Sequence, residues 1–250
     1  MTSDPADPGP SSSTTPSSGS DLGALFQRNR DWAQAVQTRD PGIFTRLAQQ
    51  QSPRYMWIGC ADSRVPANEI IGLDPGEVFV HRNVANVIVH SDLNALSTIQ
   101  FAVEHLKVKH IIVVGHYGCA GVRAALLGIR IGLADNWLRH IQDVRLRHRK
   151  RLEHLSGEDQ ENTLCEMNVI EQVGNVALST VLQDAWARGQ PVSVHGWVYG
   201  LKDGLLKDLQ VTMDRPDNVI QVFAAAIKRY PRGDRLPADE LDSVLDEGDL

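Results

Sequence analysis

Two short apolar runs, each ending in a turn that carries a thiol, constrain this chain more than any other feature. Trp57-Ile58-Gly59-Cys60-Ala61-Asp62-Ser63-Arg64 follows Pro53-Arg54-Tyr55-Met56. The stretch predicts a strand, apolar and aromatic-rich, that stops at Gly59. A thiol, a carboxylate and a guanidinium then fall at Cys60, Asp62 and Arg64. Ile111-Ile112-Val113-Val114-Gly115-His116-Tyr117-Gly118-Cys119 repeats the plan. Four consecutive β-branched residues predict a strand, and a histidine and a cysteine follow in its turn. In an open α/β sheet, ligands bind outside the carboxyl ends of the strands. Reactive side chains at two such ends therefore read as functional.

The rest of the chain supplies the helices that such a sheet needs. Residues 1–20 are nearly all Ser, Thr, Pro, Gly and Asp, and are expected to be a disordered tail. Asp21 is a good N-cap for a helix through Val36, and Asp40-Pro41 opens a second through Gln50. These two helices pack either on a neighbouring subunit or on their own chain. Pro66 to Ile70 predicts a helical turn, and Glu77 to Val80 a strand ending at His81-Arg82-Asn83. Helices are expected from Asp92 to Leu106, Cys119 to Leu127, 135 to 155 and Leu164 to Ala187. Val192 to Gly200 and Leu209 to Thr212 predict two further strands. Within 135–155, the run Arg145 to Arg151 reads as a solvated face. Asp234 to Leu250 is acidic and reads as frayed or weakly helical. Strands alternating with helices predict one α/β domain, residues 21–230, with a central, mostly parallel β-sheet flanked by helices. An acidic tail, 231–250, follows it.

Composition excludes several classes. The formal net charge of −6 argues against nucleic acid or an anionic membrane as partner. No apolar run is long enough to span a bilayer. Met1 to Ser20 has neither a basic start nor an apolar core, so it does not read as a secretory signal. Three cysteines in 250 residues do not make a disulfide framework. A reducing cytoplasm, with thiolates free for metal or catalysis, is the expectation.

Cys60, His116 and Cys119 together offer two thiolates and one imidazole, the donor set that Zn²⁺ prefers. His116-x-x-Cys119 takes two ligands from one turn, with Gly118 relieving its backbone. Cys60 must arrive from a distant strand, as in an active site assembled by a fold. Three protein ligands leave a fourth position open, where zinc lowers the pKa of bound water toward ~7. Cys165 lies mid-helix between Leu164 and Met167 and reads as core packing. Asp62 and Arg64 present two states. Asp62 takes the fourth metal position, or Arg64 holds it away and leaves an oxygen free as an acceptor.

Cys60-x-Asp62-x-Arg64 followed by His116-x-x-Cys119 resembles the β-class carbonic anhydrases, specifically the bacterial allosteric (type II) subgroup. Phe79-Val80-His81-Arg82-Asn83-Val84-Ala85-Asn86 and His195-Gly196-Trp197-Val198-Tyr199-Gly200 carry the same likeness. It extends over roughly Asp21 to Thr212. The resemblance implies zinc on Cys60, His116 and Cys119, with Asp62 as an added ligand in a closed state. It implies reversible hydration of CO₂ to bicarbonate and a proton, with Asp62 and Arg64 catalytic. It implies a homodimer, commonly doubled to a tetramer, in which the N-terminal helices embrace the partner. Gln51 matches a glutamine that borders the substrate site from across that interface.

Trp57, Arg82 and Tyr199 match the trio of a non-catalytic bicarbonate pocket in the allosteric subgroup. A guanidinium with an indole N–H and a phenol suits a small anion. Two other readings share the zinc corners. One is hydrolysis of a CO₂ analogue, carbonyl sulfide or carbon disulfide. The other is a non-catalytic bicarbonate- or zinc-binding module.

Overall fold

The computed structural model describes residues 18–233, and these fall into two compact units that divide at Gln50. The first holds α1 (Ser18–Arg39) and α2 (Ile43–Gln49). Helix α1 begins at Ser18, inside the stretch expected to be disordered and ahead of the expected cap at Asp21. The remainder of that tail, 1–17, lies outside the described residues. So does 234–250, the greater part of the expected acidic tail. Helix α2 starts at Ile43 rather than at Asp40-Pro41. Asp40 instead stabilises the turn before it: its carboxylate accepts from Gly42 N at 3.2 Å and from Arg46 Nη1 at 3.1 Å. Trp32 meets Phe44 edge-on, with ring centroids 6.0 Å apart, and joins the two helices. Leu22, Leu25 and Phe26 of α1 are exposed.

The second unit is built on five strands: β1 (Tyr55–Cys60), β2 (Val78–Asn83), β3 (His110–His116), β4 (Ser193–Tyr199) and β5 (Leu206–Met213). Their order is β2-β1-β3-β4-β5, with only β5 antiparallel to its neighbour. The mostly parallel sheet expected from the β/α alternation is therefore present. Strand β5 is longer than Leu209 to Thr212, because the Gly200–Leu205 turn returns the chain directly into pairing with β4. Gly200 N donates to Leu205 O at 2.9 Å there.

Helices α3 (Ala67–Ile71), α4 (Leu93–Gln100), α5 (Ala120–Leu127), α6 (Ala134–Arg147), α7 (Arg149–Leu152), α8 (Gly157–Ala177), α9 (Thr180–Ala187) and α10 (Val219–Lys228) accompany the sheet. Asp92 caps α4 by accepting from Asn94 N and Ala95 N, and a π-helical turn, Phe101–His105, carries the helix on. Two expected helices are divided. Residues 135–155 break at His148, whose ring turns inward and lies 2.6 Å from Glu171 Oε1. His148 is thus buried within a basic run that otherwise reads correctly as mostly exposed. The stretch Leu164–Ala187 breaks at Ser179, which takes extended backbone and caps α9 through its hydroxyl. Helix α8 also starts earlier than expected, at Gly157.

Side-chain alternation divides the core. Met56, Ile58, Ile111, Val113 and Val194 face Val169 and Val173 of α8. Trp57, Ile112 and Val114 pack on the other face with Val65, Trp197 and Tyr199. A third cluster gathers Cys60, Ala85, Cys119, Val122, Leu138, Ile141 and Cys165 at the strand ends. Gly115 allows α8 to lie close to β3, since a Cβ there would come within 2.6 Å of Val169 Cγ2.

Candidate metal centre

Strands β1 and β3 are parallel neighbours with Gly59 opposite Val114, so Cys60 and His116 close adjacent strands at the same edge. After His116 the chain turns through Gly118, whose φ of +65° suits glycine, and delivers Cys119 to the foot of α5. The Sγ atoms of Cys60 and Cys119 and a ring nitrogen of His116 all lie within 4.8 Å of one another, and all three residues are buried. The two sulfurs are 4.0 Å apart and free, twice the length of a disulfide bond (about 2 Å).

The imidazole is set for a metal. His116 Nδ1 lies 3.0 Å from Tyr117 O and donates to it, which leaves the lone pair on Nε2. Nε2 is buried and has no hydrogen-bond partner among the described residues. An orphaned acceptor beside two buried sulfurs is the pattern that a bound cation would satisfy. The donors, two sulfurs and one imidazole nitrogen, fit Zn²⁺.

The sulfur of Cys60 is already supplied with donors. Ala85 N–H points to Sγ at 3.3 Å. That N–H is aimed by unusual backbone: Ala85 and Asn86 take φ of +62° and +48° in succession. Such conformations persist only where neighbours hold them. Asn168 Nδ2 donates to Ala85 O at 3.0 Å, and Asn83 brackets the loop through Val87 N and Val87 O. The Cys60 thiol is pushed down, chiefly by its hydrogen bond with Cys119, with help from His116 and the backbone N–H groups of Asp62 and Ala85. That same bond and burial hold Cys119 up.

Asp62 is brought to the same corner. Its Oδ2 lies 3.7 Å from His116 Nε2. Arg64 donates to it three times: Nε at 2.9 Å, Nη2 at 2.6 Å and backbone N at 2.9 Å. The Arg64 side-chain bond and the backbone N–H hold the Asp62 carboxyl well below the usual range. Arg64 also lines a cavity of about 720 Å³ with Tyr117, Gly118, Leu126, Leu127 and Leu201.

The remaining expected residues are placed less closely. Trp57 is fully buried, and its Nε1 has no partner among the described residues. Tyr199 packs in the same apolar cluster. Arg82 stands opposite Gly59 in register and sends its guanidinium to Cys60 O at 2.8 Å and to Asp62 O. It is therefore committed to the metal corner. Gln51 lies exposed in the segment entering β1, whereas Cys60 closes that strand, so this chain does not bring the two together.

Sequence reasoning missed three contributors. Ala85 N–H and Tyr117 O act through the backbone, which side-chain identity does not advertise. Cys165 is buried as expected, but its thiol also donates to His116 O at 2.9 Å.

A sheet with a cysteine–histidine–cysteine set at the ends of two parallel strands, and a carboxylate–guanidinium pair beside it, defines a metalloenzyme of α/β class. The carbonic anhydrase family profile matches residues 55–206. The chain is 51% identical over 188 residues to a carbonic anhydrase of Emericella nidulans, covering 75% of this chain and 82% of that one. It is 31% identical to a carbonic anhydrase of Saccharomyces cerevisiae, covering 79% and 92%. Among solved structures, a Coccomyxa β-carbonic anhydrase in complex with acetazolamide superposes with a TM-score of 0.79 at 40% identity, covering 83% and 95%. A tetrameric β-carbonic anhydrase of Sordaria macrospora gives a TM-score of 0.74 at 35% identity, covering 78% and 99%. The chain belongs to the β-class carbonic anhydrase family, and it is a carbonic anhydrase with zinc as its metal.

Proposed function

We propose that this enzyme hydrates CO₂ reversibly through a site gated by Asp62. Cys60, His116 and Cys119 would hold zinc, which when bound would supply a hydroxide nucleophile at neutral pH. Asp62, kept ionised, is an acceptor only. It orients a hydroxyl proton at the reacting centre while Arg64 fixes the carboxylate. Released from Arg64, Asp62 would offer the metal a fourth protein donor and close the site. The observation that carries this reading is the triply bonded Asp62–Arg64 pair beside the orphaned Nε2 of His116.

Trp57, Arg82 and Tyr199 form the regulatory bicarbonate pocket in this reading, which places the chain with the allosteric subgroup. Its support is the unpartnered Trp57 Nε1 and the position of Arg82 on the carbonyls of Cys60 and Asp62. An anion that draws Arg82 away loosens the turn carrying Asp62. The working assembly is a homodimer, doubled to a tetramer, with Gln51 of one subunit bordering the site of the other. Exposed Leu22, Leu25 and Phe26 on α1 supply an apolar face for such packing. The three free cysteines suit the cytoplasm.

Stopped-flow CO₂ hydration on zinc-loaded protein from about pH 6.5 to 9 tests both levels. The rate is expected to rise more steeply than a single ionisation, to fall with added bicarbonate, and to lose that steepness in Trp57→Phe. Loaded protein with no hydration at any pH overturns the enzyme reading. A simple single-ionisation curve, unchanged in Trp57→Phe, overturns the gate.

A further inference from the structure

Behind the metal corner, Glu166 of α8 is buried with three donors on its carboxylate. Tyr117 Oη donates to Oε1, Lys207 Nζ donates to Oε1 at 2.6 Å, and Tyr230 Oη donates to Oε2 at 2.6 Å. None of these side chains takes part in the chemistry above. Yet one of them, Tyr117, follows His116 in sequence and touches it.

Tyr117 is held at three points. Its phenol is tied to Glu166. Its backbone N donates to Tyr199 O at 3.0 Å. Its carbonyl accepts from His116 Nδ1 at 3.0 Å. That last bond decides which ring nitrogen faces the cysteine sulfurs. Helix α8 also grips the preceding peptide from a second residue, because Cys165 donates to His116 O at 2.9 Å. Glu166 and Cys165 are adjacent, so one turn of α8 anchors both the main chain of His116 and the side chain of the residue after it.

We infer that Glu166 is a positioning residue for His116, acting through Tyr117. It fixes the peptide whose carbonyl orients the imidazole, and so tunes how tightly the cysteine–histidine–cysteine set holds its metal. The inference rests on the zinc reading of that set. Partners one step removed from a metal ligand change metal affinity about 10–100-fold when they are removed. The two oxygens of Glu166 divide the labour. Oε1 serves Tyr117 and the metal corner, whereas Oε2 serves Tyr230, beyond the end of α10.

That division supplies the control. Zinc affinity by chelator competition and the visible spectrum of the Co²⁺-substituted protein are measured for wild type, Tyr117→Phe, Glu166→Gln and Tyr230→Phe. Tyr117→Phe keeps the carbonyl and removes only the hydroxyl. Tyr117→Phe and Glu166→Gln are each expected to weaken zinc binding about 10-fold and to shift the Co²⁺ bands, and the double variant to be no weaker than the worse single. Tyr230→Phe is expected to lower the melting temperature with affinity and bands unchanged. Wild-type affinity and bands in Tyr117→Phe overturn the inference. So do bands displaced equally in Tyr230→Phe, which would make Glu166 a general buttress. A wild-type chain that takes up neither metal overturns the zinc reading itself, a result distinct from loaded variants that match wild type.

Discussion

The Asp62 carboxylate accepts all three of its hydrogen bonds among the described residues from one residue, Arg64. Two come from the guanidinium in the fork geometry that a lysine cannot reproduce. The third comes from the backbone N–H and survives any substitution but proline. Arg64→Lys is therefore expected to leave Asp62 in the turn but free to swing toward His116 Nε2, 3.7 Å away. Activity should fall about 100-fold, the scale of a misplaced catalytic group, with the zinc content of the protein unchanged. Steady-state hydration with metal analysis on the same sample checks this. Lost zinc would mean that Arg64 instead supports the ligands.

Acid should destabilise the fold before it reaches Asp62. His81, His110 and His195 all sit below the ordinary histidine value, each chiefly through burial; Arg54 adds to this at His110, and His110 at His195. Histidines with depressed folded pKa values contribute stability that is complete above the unfolded value, about 6.5, and lost as pH falls below it. Asp62 has the same sign in a lower window, since its depressed carboxyl contributes above about 3.9 and yields only below that. Melting temperature should hold from pH 8 to about 7 and decline toward about 5.5. His195→Asn should flatten the decline, because His195 lies 3.1 Å from His110 in a pair that protonation would set at odds. A decline of equal slope in that variant would assign it elsewhere.

Much of the sheet and all three candidate metal ligands were legible because each is written into a short local motif. The β-branched run Ile111–Val114 admits little but a strand, and the glycine after it marks the turn. Helix divisions were not legible. His148 breaks one helix only because Glu171, on α8, awaits its ring, and Ser179 breaks another by capping. The first break depends on a partner far away in sequence; the second uses Leu182 N, only three residues on, and shows only once the backbone turns extended at Ser179. The same holds at the site. Cys60, Asp62 and Arg64 are visible as side chains, while the N–H of Ala85 and the carbonyl of Tyr117 become chemical only once the backbone is folded.

His148 and Glu171 carry a prediction of their own. Glu171 is buried, with the ring of His148 at 2.6 Å and the guanidinium of Arg147 on its other oxygen. Arg147 is more than half exposed and contributes little by itself. Glu171→Ala leaves the buried ring nitrogen unpaired and should cost about 1–3 kcal/mol. Arg147→Ala should cost under ~1 kcal/mol. Urea unfolding of both variants decides between them; equal losses would mean that the exposed guanidinium matters as much as the buried ring.

Gly59 is needed for space. A Cβ there would lie 2.2 Å from Trp57 Nε1 and 3.0 Å from its Cδ1. The indole is fully buried among Val65, Ile112 and Val114, so it has little room to yield. Gly59→Ala should therefore destabilise by about 1–3 kcal/mol, the range for overpacking a filled core. Trp57→Phe removes the pyrrole edge that the new methyl would strike. If the clash is the cause, the double variant should lose less stability than the sum of the two singles, because residues in contact do not add. Denaturant unfolding of the four proteins measures that difference. An additive result would trace the cost to strain in β1 itself, next to Cys60, and Gly59→Ala would then also be expected to weaken zinc binding.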